Sequence, residues 1–288
     1  MNFYKYHALG NTYLILDTAD LPTADQIQTL CHPAFGIGAD GVLIGTPAPN
    51  ASPGSSPGSS PNEEPTSFNL RIFNPDGSEA EKSGNGLRIF ARYLWDNLDI
   101  DDQAFTIHTA GGSVVAQVQD PLQEVTINLG SVHWLAAGQP LSLGELGVSY
   151  PYTAVSLGNP HCVIIVPETT AVLAQTHGPH IETHPTFPQR TNVQFVQVLD
   201  THTLKLEIWE RGAGYTLSSG SSSGAALAVA HQQGLCDRAV QVQMPGGTMR
   251  VSLNEADEVV ISGPVTKICE GRLSRDIWPE QTKLQCEW

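Results

Sequence analysis

The sequence predicts an α+β chain in two similar halves, each a set of strands wrapped around one long helix. Three observations lead to this. Short apolar–polar alternations recur through most of the 288 residues. Two segments rhyme, Lys82-Ser83-Gly84-Asn85-Gly86 and Ser218-Ser219-Gly220-Ser221-Ser222-Ser223-Gly224, and each precedes an apolar, helix-forming run. The order strands, Gly-rich loop, helix, strands occurs twice, which marks a tandem structural repeat.

The elements follow from local pattern. Phe3 to Leu16 reads as strand, polar turn and strand, broken at His7-Ala8-Leu9-Gly10-Asn11. Ala24 to Cys31 is a short helix, followed by the Gly36-Ile37-Gly38-Ala39-Asp40-Gly41 turn and the strand Val42-Leu43-Ile44. Residues 46–67 are Pro, Ser, Gly and Asn with repeated Ser-Pro-Gly-Ser, too polar to order themselves by burial, and are expected to form a disordered surface insertion. Phe68 to Phe73 is a strand, and Gly86 to Asp96 the first long helix. Strands are predicted over Phe105–His108, Ser113–Val118, Val125–Leu129, Tyr152–Leu157, Cys162–Val166, Val193–Val198 and Leu204–Trp209. The second long helix runs from Ser222 to Gln233, and Val240–Gln243, Thr248–Leu253 and Glu258–Ser262 close the pattern. The first lobe is placed at 1–121 with 268–288 returning to it, and the second at 122–267.

A hydrophobic content of 40 % is enough for two cores. The formal charge of −15 argues against nucleic acid or an anionic membrane as the main partner. Five scattered cysteines, Cys31, Cys162, Cys236, Cys269 and Cys286, show no paired spacing and read as reduced thiols rather than a disulfide frame or metal site. There is no apolar run long enough to span a membrane and no signal-peptide core at Met1–His7, so the expected location is the cytoplasm. Glycines and a small polar residue at a helix start leave backbone N–H groups and the positive end of the helix dipole facing one spot. Two such ends, one per half, predict a small anionic ligand gripped in the cleft between lobes.

Individually the remaining motifs are bland. Gly10-Asn11 and Gly158-Asn159-Pro160-His161 are turns, His161 alone is a hydrogen-bonded structural histidine, and Glu210-Arg211 is a surface pair. As a set they resemble the diaminopimelate epimerase family. The first signature is Phe73-Asn74-Pro75-Asp76-Gly77-Ser78-Glu79-Ala80 followed by Gly84-Asn85-Gly86 and Arg88. His7–Asn11, Gly36–Gly41, Gly158–His161, Thr191-Asn192-Val193, Glu210-Arg211-Gly212-Ala213-Gly214 and Glu270-Gly271-Arg272 fit its other stations in order. The resemblance spans nearly the whole chain. It implies a pseudo-twofold pair of α+β lobes, each a curled, mostly antiparallel sheet around a central helix, and allows a homodimer.

It also implies an isomerase that interconverts LL- and meso-diaminopimelate, on the route to lysine and peptidoglycan, without cofactor or metal. In that family one thiolate removes the α-proton while a second delivers another to the opposite face. By resemblance Gly84, Asn85, Gly220 and Ser221 grip the α-carboxylate. Asn11, Asn74, Asn159, Asn192, Glu210 and Arg211 match the remaining substrate contacts, and His161 and Glu210 lie beside the reactive groups.

The chain departs from the family at the reacting centre. The two catalytic cysteines fall on Ser83 and Ser219, Tyr215 replaces a usual Glu, and Ser218-Ser219-Gly220-Ser221-Ser222 replaces Ala-Cys-Gly-Thr-Gly. A thiol has a pKa of about 8.5, whereas a hydroxyl is a far weaker acid and works only beside a stronger base. Ser83, Ser219, His161 and Glu210 are therefore the catalytic candidates, with the serines as relays; Lys82 and Tyr215 are less conventional ones. Three functions stay open: a diaminopimelate epimerase, another isomerase or racemase of the same fold with a different acid–base pair, and a catalytically silent amino-acid-binding homologue.

Overall fold

A computed structural model describes residues 1–18, 20–48, 67–98, 100, 102–120, 122 and 124–278. In the first half β1 (Asn2–Ala8) and β2 (Asn11–Asp17) lead to α1 (Ala24–Cys31), then β3 (Val42–Pro47), β4 (Ser67–Phe73) and the short β5 (Glu79–Ala80). The long helix α2 (Gly84–Leu98) and β6 (Phe105–Thr109), β7 (Gly112–Asp120) and β8 (Glu124–Ser131) follow. In the second half β9 (His133–Leu143), β10 (Val148–Ser156) and β11 (Pro160–Ile165) lead to α3 (Ala171–Glu182), β12 (Asn192–Asp200), β13 (Thr203–Glu210) and the short β14 (Gly214–Thr216). Then come α4 (Gly220–Gln232), β15 (Ala239–Met244), β16 (Gly247–Leu253), β17 (Glu258–Gly263) and β18 (Thr266–Arg272).

The pairing pattern carries the repeat. From β1, the sheet runs antiparallel to β2, parallel to β3, antiparallel to β4, parallel to β6, then antiparallel to β7 and β8. From β10, the same succession runs through β11, β12, β13, β15, β16 and β17. β8 and β17, the equivalent last strands, pair antiparallel with each other, while β18 pairs with β1 and β9 with β10 at the outer ends. Each half thus curls one mostly antiparallel sheet around its own long helix, α2 or α4.

Both long helices start two residues earlier than their apolar runs suggest, at Gly84 and Gly220. Ser83 and Ser219 cause this. The Gly86 N–H donates to Ser83 Oγ at 3.1 Å, and the Ser222 N–H to Ser219 Oγ at 3.5 Å, so each serine satisfies an otherwise orphaned donor of the first turn. α4 is buried from Gly220 to Ala230, which explains its small residues: Ala225, Ala226, Ala228 and Ala230 let the sheet close around it. α2 is amphipathic and buries Leu87, Ile89, Phe90, Ala91 and Leu94.

Three features correct the sequence-based expectations. α3, with Thr170 accepting from the Leu173 N–H, was hidden by the internal Gly178-Pro179, and a Cβ at Gly178 would lie 2.5 Å from the Trp209 Cβ. β9 and β18 are also strands. The ends of the expected disordered insertion are ordered: Thr46 and Pro47 pair with Asn69 and Phe68, and the Ala48 N–H donates to the Ser67 carbonyl at 3.1 Å. The rest of that insertion and Cys286 lie outside the described residues. No helix among the described residues is long and apolar enough to cross a membrane.

Phe90 shows how closely helix and sheet fit. A Cβ on Gly45 of β3 would lie 2.1 Å from its ring, and Phe68 meets it edge-on at 6.3 Å. Phe90→Ala is expected to cost about 3–5 kcal/mol and Gly45→Ala about 1–3 kcal/mol in urea unfolding. The double variant should cost less than their sum, because the added methyl enters the space the ring vacates.

Candidate active site

The floor of the site is the meeting point of α2 and α4. A Cβ on Gly84 would lie 2.9 Å from both the Gly220 Cα and the Ser221 nitrogen, and one on Gly220 would lie 3.1 Å from the Gly84 Cα. Only glycine at both positions allows this approach. The serine caps take the Gly86 and Ser222 N–H groups, while the N–H groups of Gly84, Asn85, Gly220 and Ser221 have no acceptor among the described residues. Two helix N-termini therefore present four donors and the positive ends of both dipoles to one region.

Behind this floor Asn85 is locked. Its Nδ2 donates to Asn11 Oδ1 at 3.1 Å and to the Ser218 carbonyl and hydroxyl oxygens at 2.9 and 3.0 Å. Its Oδ1 accepts from Arg88 Nη2 at 2.5 Å. Arg88 is fully buried with no carboxylate partner among the described residues, and burial lowers its pKa to about 9. Its charge lies one turn into α2 and reinforces the positive helix end.

Above the floor opens a cleft lined by Tyr13, Asp40, Asn74, Glu81, Lys82 and Ser83 from the first half, and by Asn159, Asn192, Glu210, Arg211 and Ser221 from the second. Of the sequence-derived candidates, Ser83, Lys82, Asn74, Asn159, Asn192, Glu210, Arg211 and Ser221 thus reach one cavity. Asn11, Asn85, Gly84, Gly220 and Ser219 form its floor and backing; Asn11 faces an adjoining pocket with Asp40 and Tyr215.

Ser219 is buried, and it lies beside the Glu210 carboxylate, whose charged form it favours. Glu210 opens onto the cleft but is densely surrounded by protein. Burial raises its pKa to about 7, against the lowering effect of Ser219; the nearby charge of Asp40 adds to the rise. Ser83 bonds instead to the Tyr13 hydroxyl at 3.1 Å. Burial, then the Glu210 charge, push the Tyr13 phenol well above its ordinary value, so it is no base.

His161 bonds to neither serine. Its Nε2–H donates to Asn159 Oδ1 at 2.9 Å, and Gln194 Nε2 donates to its Nδ1 at 2.9 Å. Burial, then Arg211, lower its pKa to about 3, so it is neutral with both ring nitrogens engaged and acts by holding Asn159. Asn159 Nδ2 in turn donates to Ser221 Oγ at 3.4 Å. The Tyr215 hydroxyl donates to Glu207 Oε2 at 2.7 Å.

Asn192 serves both the cleft and the backbone. Its Nδ2 donates to the Pro160 carbonyl at 2.8 Å, and its Oδ1 accepts the Arg211 N–H at 3.0 Å. Glu182, at the end of α3, accepts the Trp209 indole N–H at 2.6 Å and the Gly212 N–H at 2.9 Å, pinning the turn that carries Arg211. The Arg211 guanidinium pairs across the cleft with Glu81.

Sequence reasoning missed Tyr13, Glu81 and Glu182. Tyr13 had a signal: it lies two residues after Asn11 on one strand, so their side chains share a face. Glu81 and Glu182 had none, because each finds its partner only through folding. Among the described residues no cluster of His, Cys, Asp or Glu could hold a metal ion.

Comparison with known proteins shows the family and the fold. The family model described as diaminopimelate epimerase matches residues 3–135 and 153–268. The chain is 45 % identical to diaminopimelate epimerase 2 of Nostoc sp., covering 99 % of each chain. It is 36 % identical to the diaminopimelate epimerase of Nostoc punctiforme over 95 % of this chain and 99 % of that one. Among solved structures, a hydroxyproline epimerase from Agrobacterium vitis with bound trans-4-hydroxy-L-proline superposes with a TM-score of 0.72, covering 97 % of this chain and 94 % of that one. A phenazine biosynthesis protein from Bacillus anthracis does so at 0.66, over 95 % and 99 %. At 15 % identity each, these two likenesses show the shared fold alone.

Gly220→Ala is expected to force the two helix ends apart and lower ligand affinity at least tenfold in calorimetric titration, with the far-ultraviolet circular dichroism little changed. Glu210 adds a pH signature. Its folded pKa is raised above its unfolded value, so the folded state binds the extra proton and stability falls as pH rises from about 4.5 to about 7. His161, with a lowered pKa, works in the opposite sense between about 3 and 6.5, so the test is the difference between proteins. Glu210→Gln should melt higher than the unaltered chain at pH 8, by no more than about 3 kcal/mol in stability, and this advantage should shrink by pH 5.

Proposed function

We propose, from the premise that the chain belongs to the diaminopimelate epimerase family and is thus of isomerase type, that it interconverts LL- and meso-diaminopimelate by exchanging the α-proton, without a cofactor. The observation that carries this reading is the convergence of two helix N-termini on one spot. Removing an α-proton leaves an electron pair that delocalises onto the adjacent carboxylate, where negative charge grows in the transition state. The N–H groups of Gly84, Asn85, Gly220 and Ser221 are already oriented toward that position, and no reorganisation is needed as the charge develops. Arg88, one turn behind, adds to the same field.

On the second-half face the Ser219–Glu210 pair supplies the acid–base group. A lone serine hydroxyl is too weak an acid to exchange protons near neutrality, but beside a carboxyl group whose pKa is raised to about 7 it can relay one. Asn74, Asn159, Asn192 and Arg211 line the cleft beyond the helix ends and suit the distant amino-acid end of the ligand. His161 and Gln194 act as positioning residues through Asn159.

One observation favours a second reading. Arg211 is already paired with Glu81, so a distal carboxylate must displace Glu81 to reach the guanidinium. A substrate that lacks a distal carboxylate would leave that pair intact, and the chain would then be an isomerase of a related amino acid.

The test is incubation with LL-diaminopimelate in deuterated water, following the α-proton by NMR. Exchange with appearance of the meso form is expected, with the rate of proton removal on the Glu210 face rising through about pH 7 as the carboxylate ionises. Glu210→Gln should lower epimerisation about 10²–10⁴-fold. Exchange only with amino acids that lack the second carboxylate would establish the second reading. Binding without exchange of any amino acid would overturn both.

A further inference from the structure

Inversion at a carbon needs a proton group on each face, and only one face of this cleft is served by Glu210. On the first-half face Ser83 stands where the resemblance places a reacting group, yet its hydroxyl bonds to Tyr13 and caps the Gly86 N–H. Neither partner is a base. His161 has both ring nitrogens engaged, Glu81 is paired with Arg211, and the Asp40 Oδ2 accepts the Thr12 N–H and hydroxyl at 2.7 and 2.9 Å.

That leaves Lys82, the neighbour of Ser83. It is 6 % exposed, yet it lines the cleft together with Ser83, Asn159 and Ser221. Its chain crosses to the second half: a Cβ on Gly158 would lie 3.1 Å from Lys82 Cε and 3.2 Å from Nζ. Nζ donates once, to the Leu129 carbonyl at 3.2 Å, and has no carboxylate partner among the described residues. A buried ammonium has three donors, and here two of them are unspent and no counter-charge offsets its burial. Burial alone lowers its pKa, which increases the share of neutral amine able to accept a proton.

We propose that the Lys82 ε-amine is the group that takes and returns the α-proton on the first-half face, opposite Ser219 and Glu210. This rests on the epimerase reading above. In one direction the α C–H bond breaks, an N–H bond forms on neutral Lys82, and the electron pair remains on the carbanion held by the helix ends. The Ser219–Glu210 pair, carrying a proton, then forms the new C–H bond on the other face. In the reverse direction the two groups exchange roles. The Gly158 position, where a side chain would meet the amine, leaves room for Lys82 to reach the cleft.

A structural lysine that merely ties β8 to the cleft wall through Leu129 makes different predictions. The experiment measures α-deuterium incorporation and epimerisation separately, starting from each epimer of diaminopimelate, in the unaltered chain, Lys82→Met, Lys82→Arg and Glu210→Gln. Lys82→Met should lower epimerisation about 10²–10⁴-fold while one epimer still exchanges its α-proton without inverting. Glu210→Gln should leave exchange with the opposite epimer. Lys82→Arg keeps the charge and the bond to Leu129 but cannot release a proton near neutrality, so it should be as slow as Lys82→Met. Recovery of activity in Lys82→Arg, equal loss of exchange from both epimers in Lys82→Met, or an unimpaired Lys82→Met would each overturn the assignment while leaving the epimerase reading intact. No exchange in the unaltered chain would overturn that reading, and the role of Lys82 with it.

Discussion

The contact between Gly84 and Gly220 is the constraint on which the rest of this molecule depends. Two helices from two halves of the chain meet end to end, close enough that a methyl at Gly84 would lie 2.9 Å from backbone and one at Gly220 would lie 2.6 Å from the Ile261 Cδ1 and 3.1 Å from the Gly84 Cα. The contact places side by side four N–H groups that have no acceptor among the described residues, and it requires the curled sheets to deliver both helices to the same point. The joining of β8 to β17 does so, because it links the equivalent edge strands of the two repeats and leaves the helix starts facing each other.

Around that point the chain concentrates positive potential in an otherwise acidic protein. The chain as a whole carries a formal charge of −15, whereas the floor of the cleft is set by two dipole ends and buried Arg88, with Arg211 at the far wall. Glu210 is the carboxylate among these groups. Burial, with the nearby charge of Asp40, raises its pKa to about 7 against the opposing effect of neighbouring Ser219. The supporting residues are arranged to limit motion: His161 and Gln194 hold Asn159, Glu182 holds the Arg211 turn, and Arg88 holds Asn85.

Much of the fold was legible because its signals are local. The alternating strands, α1, both long helices and the repeat each depend on periodicity or on a Ser-Gly start that needs no knowledge of the partner half. α3 was not, since its Gly178 and Pro179 look like breakers; Gly178 is there because Trp209, from a strand far along the chain, packs against it. The starts of α2 and α4 were misplaced by two residues because apolar pattern marks the body of a helix, while its first turn is defined by the capping oxygen.

The sequence by itself determined the two glycine-rich helix starts and the family, since these starts and the surrounding motifs are carried by residues adjacent in the chain. Only the tertiary structure decided how the groups divide their work. It placed Glu210 beside Ser219, joined Tyr13 to Ser83, set His161 behind Asn159, closed Glu81 onto Arg211, and buried Lys82 in the cleft wall. The physical reason is that acid–base character depends on burial and on neighbours brought from distant segments, and a residue's identity specifies neither.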